Sequence, residues 1–307
     1  MVNFAKDKIF IFDDELKDLE SISNLLSSYF EIKGLNKSID LLKAIQKDIT
    51  DEYKLAVIDL IIEEDPFGGR RICREIKKVK PYLPVYAITK SLDPKHIADC
   101  LINAGFNGFV AKKDLEQNLA SYVDCIRHVI AEVDKYPDIK LFWKDIVNLF
   151  SKEYQYAVKK HLRDKLSYLI RKAYFYLLLP ESLPLLDSLI LDENTGTGAS
   201  IIESASAIED ILNDECQRWS KEIKDKIGVY PSRKVKLNLV IKQNLVASNF
   251  EEKVEELFNW RDHCAHGKAY KHNKEDAISS MRLALSFIKE YFKGKKQAVF
   301  PKGKSND

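Results

Sequence analysis

Three things are nearly missing from this 307-residue chain: a charge excess of either sign, a paired-cysteine motif and an unbroken apolar run. The net charge is +2, too small to argue for nucleic acid by electrostatics alone, so any polyanion site has to be local. Five cysteines (Cys73, Cys100, Cys125, Cys216, Cys264) are scattered without a Cys-x-x-Cys pair. No secretory leader pattern is present, so reduced thiols in a cytoplasmic protein are the expectation. The most lipid-like stretch, AYFYLLLPESLPLLDSLIL, is interrupted by Pro180, Glu181, Pro184 and Asp187, well short of the roughly 20 apolar residues of a membrane span. No membrane partner is expected. The length suits two domains of ordinary size.

The first half alternates short apolar runs with amphipathic stretches. KIFIF, FEIKGL, KLAVIDL, LPVYAIT and FNGFVA read as strands, and the segments between them carry helical periodicity: Leu16, Leu19, Ile22, Leu25 and Tyr29 follow three- and four-residue steps. Five βα units fit by about residue 136, which predicts a doubly wound, five-stranded parallel sheet with both faces covered. In such a sheet the chemistry belongs at the carboxyl ends of the strands. The first run ends in Asp13-Asp14, the third in Asp59, the fourth in Thr89, and the fifth reaches Lys112. Singly, each has a plain structural explanation as a helix cap or a solvated charge. Together they place three carboxylates, a hydroxyl and an ammonium on one rim. That set suits phosphoryl transfer to a carboxylate: clustered acids hold Mg²⁺, Asp59 attacks, and Thr89 and Lys112 neutralise the phosphoryl oxygens.

The blocks IFIFDDE, LAVIDL, AIT and AGFNGFVAK, in this order and spacing, resemble the receiver domain of two-component response regulators over roughly residues 6–136. The resemblance implies a flavodoxin-like fold, Asp59 as phosphoacceptor, Mg²⁺ held by Asp14 and Asp59 directly and by Asp13 through water, and Phe109 as an aromatic switch alongside Thr89 and Lys112. It also implies a sensor histidine kinase or another phosphodonor as partner. Two departures stand out. The loop LIIEEDPFGG adds Glu63, Glu64 and Asp65 beside the phosphoacceptor, where negative charge would slow phosphorylation or tighten the metal. Lys113 replaces the proline that commonly follows the lysine.

From residue 137 the alternation stops and the remainder reads as all-α. Residues 138–179 carry a wide apolar stripe through Leu141, Ile146, Leu149, Phe150, Tyr154, Leu162 and Leu166, ended by Pro180 and Pro184. DENTGTGAS reads as a mobile loop before a helix over about 200–226; its Thr-Gly repeats lack the strand and Lys-Ser/Thr pair of a phosphate cradle. Ser248 with Glu251, and Asn273 with Asp276, have capping-box spacing. Phe250, Val254 and Leu257 mark a buried face whose next step is Arg261, so this guanidinium points to the core side and needs an anion. His266 lies about 140° away on a continuing helix, and Gly267 is placed to end that helix. Expected boundaries are 1–136, 137–293, and a basic, disordered tail over 294–307.

RDHCAHG carries an R-x4-H pattern and resembles the signature of HEPN domains, helical modules many of which are ribonucleases. The resemblance implies a homodimer pairing its motifs in one cleft and cleaving an RNA substrate with no metal or other cofactor, to 2′,3′-cyclic phosphate and 5′-hydroxyl ends. His266 would move the proton, Arg261 would stabilise the phosphorane, and Asp262 would orient either of them. Alternatives stay open: capping of helix carbonyls by Arg261 and His266, zinc on His263, Cys264 and His266, or a thiol nucleophile at Cys264. The combined expectation is a phosphorylation-regulated ribonuclease, with a toxin or phage-defence role implied by the same family. The alternative is a non-catalytic dimerisation or RNA- or nucleotide-binding module under receiver control.

Overall fold

The computed structural model describes residues 6–63, 65–90, 104–149, 158–177, 193–219, 231–266 and 272–299, with single positions between 220 and 230. Glu64, residues 91–103 with Cys100, Phe150, Tyr154, Pro180, Pro184, Gly267 and residues 300–307 of the expected tail lie outside the described residues. The chain divides into two compact units, one built on Met1–Lys140 and the other on Leu141–Leu177 and Leu191–Asp307.

The N-terminal unit holds strands β1 (Lys8–Phe12), β2 (Glu31–Leu35), β3 (Tyr53–Asp59), β4 (Val85–Thr89) and β5 (Gly108–Ala111). They form one parallel sheet in the order β2-β1-β3-β4-β5, the doubly wound order of flavodoxin-like folds. The central strands β1, β3 and β4 are apolar runs because helices cover both of their faces; Ile9–Phe12, Leu55–Ile58 and Val85–Ile88 are all buried. Helix α1 (Leu16–Leu26) turns Leu19, Ile22 and Leu26 inward, and α2 (Ser38–Lys47) turns Leu41 and Ile45 inward. Helix α3 (Gly68–Val79) buries Ile72, Cys73 and Ile76, and α4 (Leu119–Asp134) buries Tyr122, Val123, Ile126, Val129 and Ile130.

Strand register sets the site. Phe12 pairs with Ile58, so Asp13 follows beside Asp59; Asp59 pairs with Ile88, so Thr89 comes next; Thr89 pairs with Ala111, so Lys112 comes next. Helix α3 can start so close to this edge only because of Gly69. A β-carbon there would lie 2.2 Å from the Asp59 carbonyl oxygen and 2.7 Å from Leu60 Cα.

The C-terminal unit is helical, as expected. The division between the units falls within α5 (Pro137–Leu149), and α6 (Lys160–Leu177), α7 (Glu193–Arg218), α8 (Arg233–Lys242), α9 (Glu251–Ala265) and α10 (Lys274–Val299) follow. Helices α6 and α7 run antiparallel, with Lys172–Glu203 at 2.8 Å, Lys165–Asp210 at 2.7 Å and His161–Asp214 at 3.5 Å in reverse order along the two. Helix α7 also packs on α8, α9 and α10, burying Ile201, Ile208, Ile211 and Leu212 together with Ser200, Ser204, Ala205 and Ala207. Buried Glu215 accepts from Tyr291 Oη at 2.6 Å and pairs with Lys295 Nζ at 3.1 Å, which offsets the cost of burying its charge.

Several local expectations are corrected. Residues 193–200 are not a loop but the first turns of α7, with Thr197 and Ser200 buried. Small residues that look loop-like in isolation suit a helix crowded by neighbours, and packing overrides propensity there. Helix α8 was not anticipated. The Ser248–Glu251 box does not form: Ser248–Phe250 is a 3₁₀ turn, and α9 begins at Glu251 without a side-chain cap. The Asn273–Asp276 box does form, Asp276 N–H donating to Asn273 Oδ1 and Asn273 N–H to Asp276 Oδ2, both at 3.0 Å. Finally, α10 continues to Val299, so residues 294–299 are helix rather than tail. Gly294 lets it pass the 245 backbone, where a β-carbon would meet the Leu245 carbonyl oxygen at 2.4 Å.

Candidate functional site

At the carboxyl edge of the sheet, Asp13 and Asp59 are almost wholly buried. One ammonium serves both. Lys112 Nζ donates to Asp13 Oδ2 at 2.6 Å, Asp18 Oδ2 at 2.7 Å and Asp59 Oδ2 at 3.0 Å. Burial pushes the Asp13 carboxyl up to about 6, against the pull of Lys112, and the neighbouring Asp59 adds to the rise. Burial likewise raises Asp59, again opposed by Lys112. Asp18 is shifted the other way by its hydrogen bond to Lys112. Burial works against the Lys112 charge, yet its bonds to Asp13, Asp18 and Asp59 outweigh that and raise its pKa.

The acids also fit a divalent cation. One oxygen each from Asp13, Asp14 and Asp59 lies within 4.8 Å of the others. Asp14 Oδ2 accepts from the Glu63 N–H at 2.8 Å, while Asp14 Oδ1 is buried without a hydrogen-bond partner. Three hard carboxylates with one oxygen free match the needs of Mg²⁺. Thr89 is buried at the end of β4, and Phe109 is half-buried on β5 opposite Ala87. The added loop acids are partly accounted for. Glu63 touches the site through its backbone, at φ 51°; Asp65 accepts from the Phe67 N–H at 2.8 Å and pairs with Arg71. Lys112–Asp114 forms a 3₁₀ turn, and no peptide bond among the described residues is cis.

In the helical unit Arg261 has the anion its position demanded. Its Nη2 lies 3.2 Å from Glu209 Oε2, and its Nη1 lies 3.5 Å from Asp262 Oδ1. Arg233 completes a ring of alternating charge, with Nε donating to Glu209 Oε1 at 3.0 Å and Nη1 to Asp262 Oδ1 at 3.0 Å. Its guanidinium also lies 5.1 Å from the Phe258 ring centre. Asp262 is therefore tied to Arg233 and, more loosely, to Arg261. His266 closes α9, its N–H donating to the Asp262 carbonyl at 3.2 Å, and is exposed. His263, Cys264 and His266 do not converge as a ligand trio among the described residues. Burial raises the Cys264 thiol, the opposite of what activates a nucleophile.

Asp18, Glu209 and Arg233 were missed from sequence. The four-residue step from Asp14 to Asp18 was the one available signal for the first; Glu209 and Arg233 come from other helices and had none.

Fold and site together define the N-terminal unit as a flavodoxin-like domain with an acidic, lysine-bridged site at its strand ends. Among solved structures, a response regulator receiver domain protein from Clostridium thermocellum is 23% identical over 40% of this chain and 94% of its own, with a TM-score of 0.35. A CheY-like response regulator receiver domain protein from Methanospirillum hungatei JF-1 is 19% identical over 40% of this chain and 98% of its own, at 0.33. The signal receiver domain of an HD domain-containing protein from Pseudomonas fluorescens Pf-5 is 14% identical over 41% and 93%, at 0.33. Strand order and register by themselves define the fold. No protein-family model and no curated protein sequence matches the chain. No helix among the described residues is long and apolar enough to cross a membrane.

Proposed function

We propose that the chain is a response regulator whose N-terminal unit takes a phosphoryl group on Asp59 and whose helical unit is a HEPN-type endoribonuclease acting as a homodimer. The observation that carries the first part is Lys112 bridging Asp13 and Asp59 beside the partnerless Asp14 oxygen. An Asp59 carboxylate oxygen attacks the phosphorus of a sensor histidine kinase or small donor; the new O–P bond forms as the donor's bond to phosphorus breaks, and the leaving group departs with the electron pair. Lys112 and Thr89 neutralise the incoming oxygens. Mg²⁺ held by Asp13, Asp14 and Asp59 would supply charge neutralisation between donor and acceptor. Thr89 and Phe109 pass the change to the pairing of two chains. Incubation with acetyl phosphate and Mg²⁺ should add one phosphoryl group by intact mass, lost in Asp59→Asn; an unlabelled wild type would refute it.

For the helical unit, Arg261 and the exposed His266 support RNA cleavage: the 2′-oxygen attacks phosphorus as His266 takes its proton, the P–O5′ bond breaks, and the leaving 5′-oxygen takes a proton from water. A role in phage defence or as a toxin fits an RNase held under control. The charge ring favours a second reading, because Glu209 and Asp262 already engage Arg261, as in a non-catalytic dimerisation or RNA- or nucleotide-binding module. Labelled RNA decides between them: metal-independent cleavage to cyclic-phosphate ends, lost in a folded His266→Ala, supports the enzyme. Equal silence of both proteins supports the module.

A further inference from the structure

The acidic site contains an ion pair that phosphoryl transfer does not require. Asp18, on the first turn of α1, gives one oxygen, Oδ2, to two lysines: Lys112 Nζ at 2.7 Å and Lys90 Nζ at 3.5 Å. Lys90 follows Thr89 directly, and its closer partner is Glu15 Oε1 at 2.6 Å. Because β3 lies between β1 and β4 in the sheet, Glu15 and Asp18 reach Lys90 across the strand that ends in Asp59.

The three acids on Lys112 are unequal. Asp13 and Asp59 are buried, whereas the Asp18 side chain is 25% exposed and can swing toward Lys90, itself half exposed. A phosphoryl group on Asp59 replaces the single carboxylate charge next to Lys112 with close to two, and Asp18 then competes with it for the same ammonium. Like charges around one cation raise each other's energy, and the acid with another cation within reach is the one to leave.

We infer that Asp18 is a positioning residue that holds Lys112 before Asp59 is loaded, and that loading hands Asp18 from Lys112 to Lys90. This rests on the phosphoacceptor reading of Asp59. The pair then has two arrangements, Lys112–Asp18 and Lys90–Asp18, and the phosphoryl group selects the second. Lys90, directly after Thr89, carries the change to the carboxyl end of β4.

The test uses the full-length chain with Mg²⁺ and beryllofluoride, a non-transferable phosphoryl mimic, with affinity measured by calorimetry. Asp18→Asn removes the competitor, and binding should tighten by about fivefold, the scale of a partly exposed ion pair. Lys90→Gln removes the receiving cation, and binding should weaken by a similar factor. In the Asp18→Asn background, Lys90→Gln should have no further effect. A Lys90→Gln loss of equal size with and without Asp18 would mean that Lys90 acts on the anion directly, which overturns the hand-over. Binding by wild type with no gain in Asp18→Asn overturns it as well and leaves the phosphoacceptor reading standing. Absence of binding by wild type overturns both. Asp59→Asn should bind nothing in any background.

Discussion

Replacing Lys112 by Met removes the ammonium that Asp13, Asp18 and Asp59 share while keeping most of the stem. Asp13 and Asp59 are then left buried without a cation, and breaking a buried pair from one side costs about 3–5 kcal/mol. Asp18, partly exposed, adds little because water screens it. The buried acids can escape the cost by taking up protons, so the loss has to depend on pH. Asp13 already stands at about 6 with Lys112 present, above its unfolded value. The folded state therefore binds more protons than the unfolded one between the two values, and stability falls as pH climbs through that window. Removing Lys112 raises Asp13 and Asp59 further and stretches the window upward. The variant should be hurt most near about pH 8 and least near about pH 5. The assay is hydrogen exchange of the β1 and β3 amides in the full chain, corrected for intrinsic exchange, with wild type alongside. A penalty that is flat with pH, or below about 1 kcal/mol throughout, would refute the view that Lys112 neutralises buried charge. Millimolar Mg²⁺ should recover part of the loss by returning positive charge to the same oxygens.

Gly69→Ala pushes a β-carbon against the Asp59 carbonyl and Leu60 Cα; displacing α3 should cost about 1–3 kcal/mol, and an unchanged melting temperature for the N-terminal unit would count against that close approach. Asn273→Ala removes one half of the formed capping box and should cost about 1 kcal/mol, visible as faster exchange in the first turn of α10 and nowhere in the sheet. Arg233→Ala and Asp262→Ala, alone and together, should show a coupling of about 1 kcal/mol in a double-mutant cycle; additive effects would mean that the ring has no energetic content.

What could be read from the sequence follows from where the information sits. Asp13, Asp59, Thr89 and Lys112 were legible because each follows an apolar strand run, and a parallel sheet brings strand ends together whatever the helices do. Asp18 was not, since an acid on a helix's first turn has many plain explanations. Arg261 was correctly assigned to the core side of α9 by its spacing from Val254 and Leu257, but Glu209 lies 52 positions earlier and only tertiary packing joins them. Helix α8 escaped notice because Val235, Leu237 and Leu239 alternate like a strand, while its buried residues, Leu237 and Val240, sit three apart. The turns over 193–200 were misread because threonine, glycine and serine favour loops until neighbours demand small side chains.

The ring of Arg233, Glu209, Arg261 and Asp262 bears on how this chain can diverge. Its charges cancel, so losing any one member leaves a net charge among half-buried groups, whereas losing an oppositely charged pair leaves balance. Inheritance should therefore favour double replacements over single ones, with Arg233 departing alongside Asp262 or Glu209 as a compensated step. A distant descendant that has lost Arg261 together with Glu209 thus keeps the helical scaffold, and a search keyed to the arginine of the R-x4-H pattern alone passes it by.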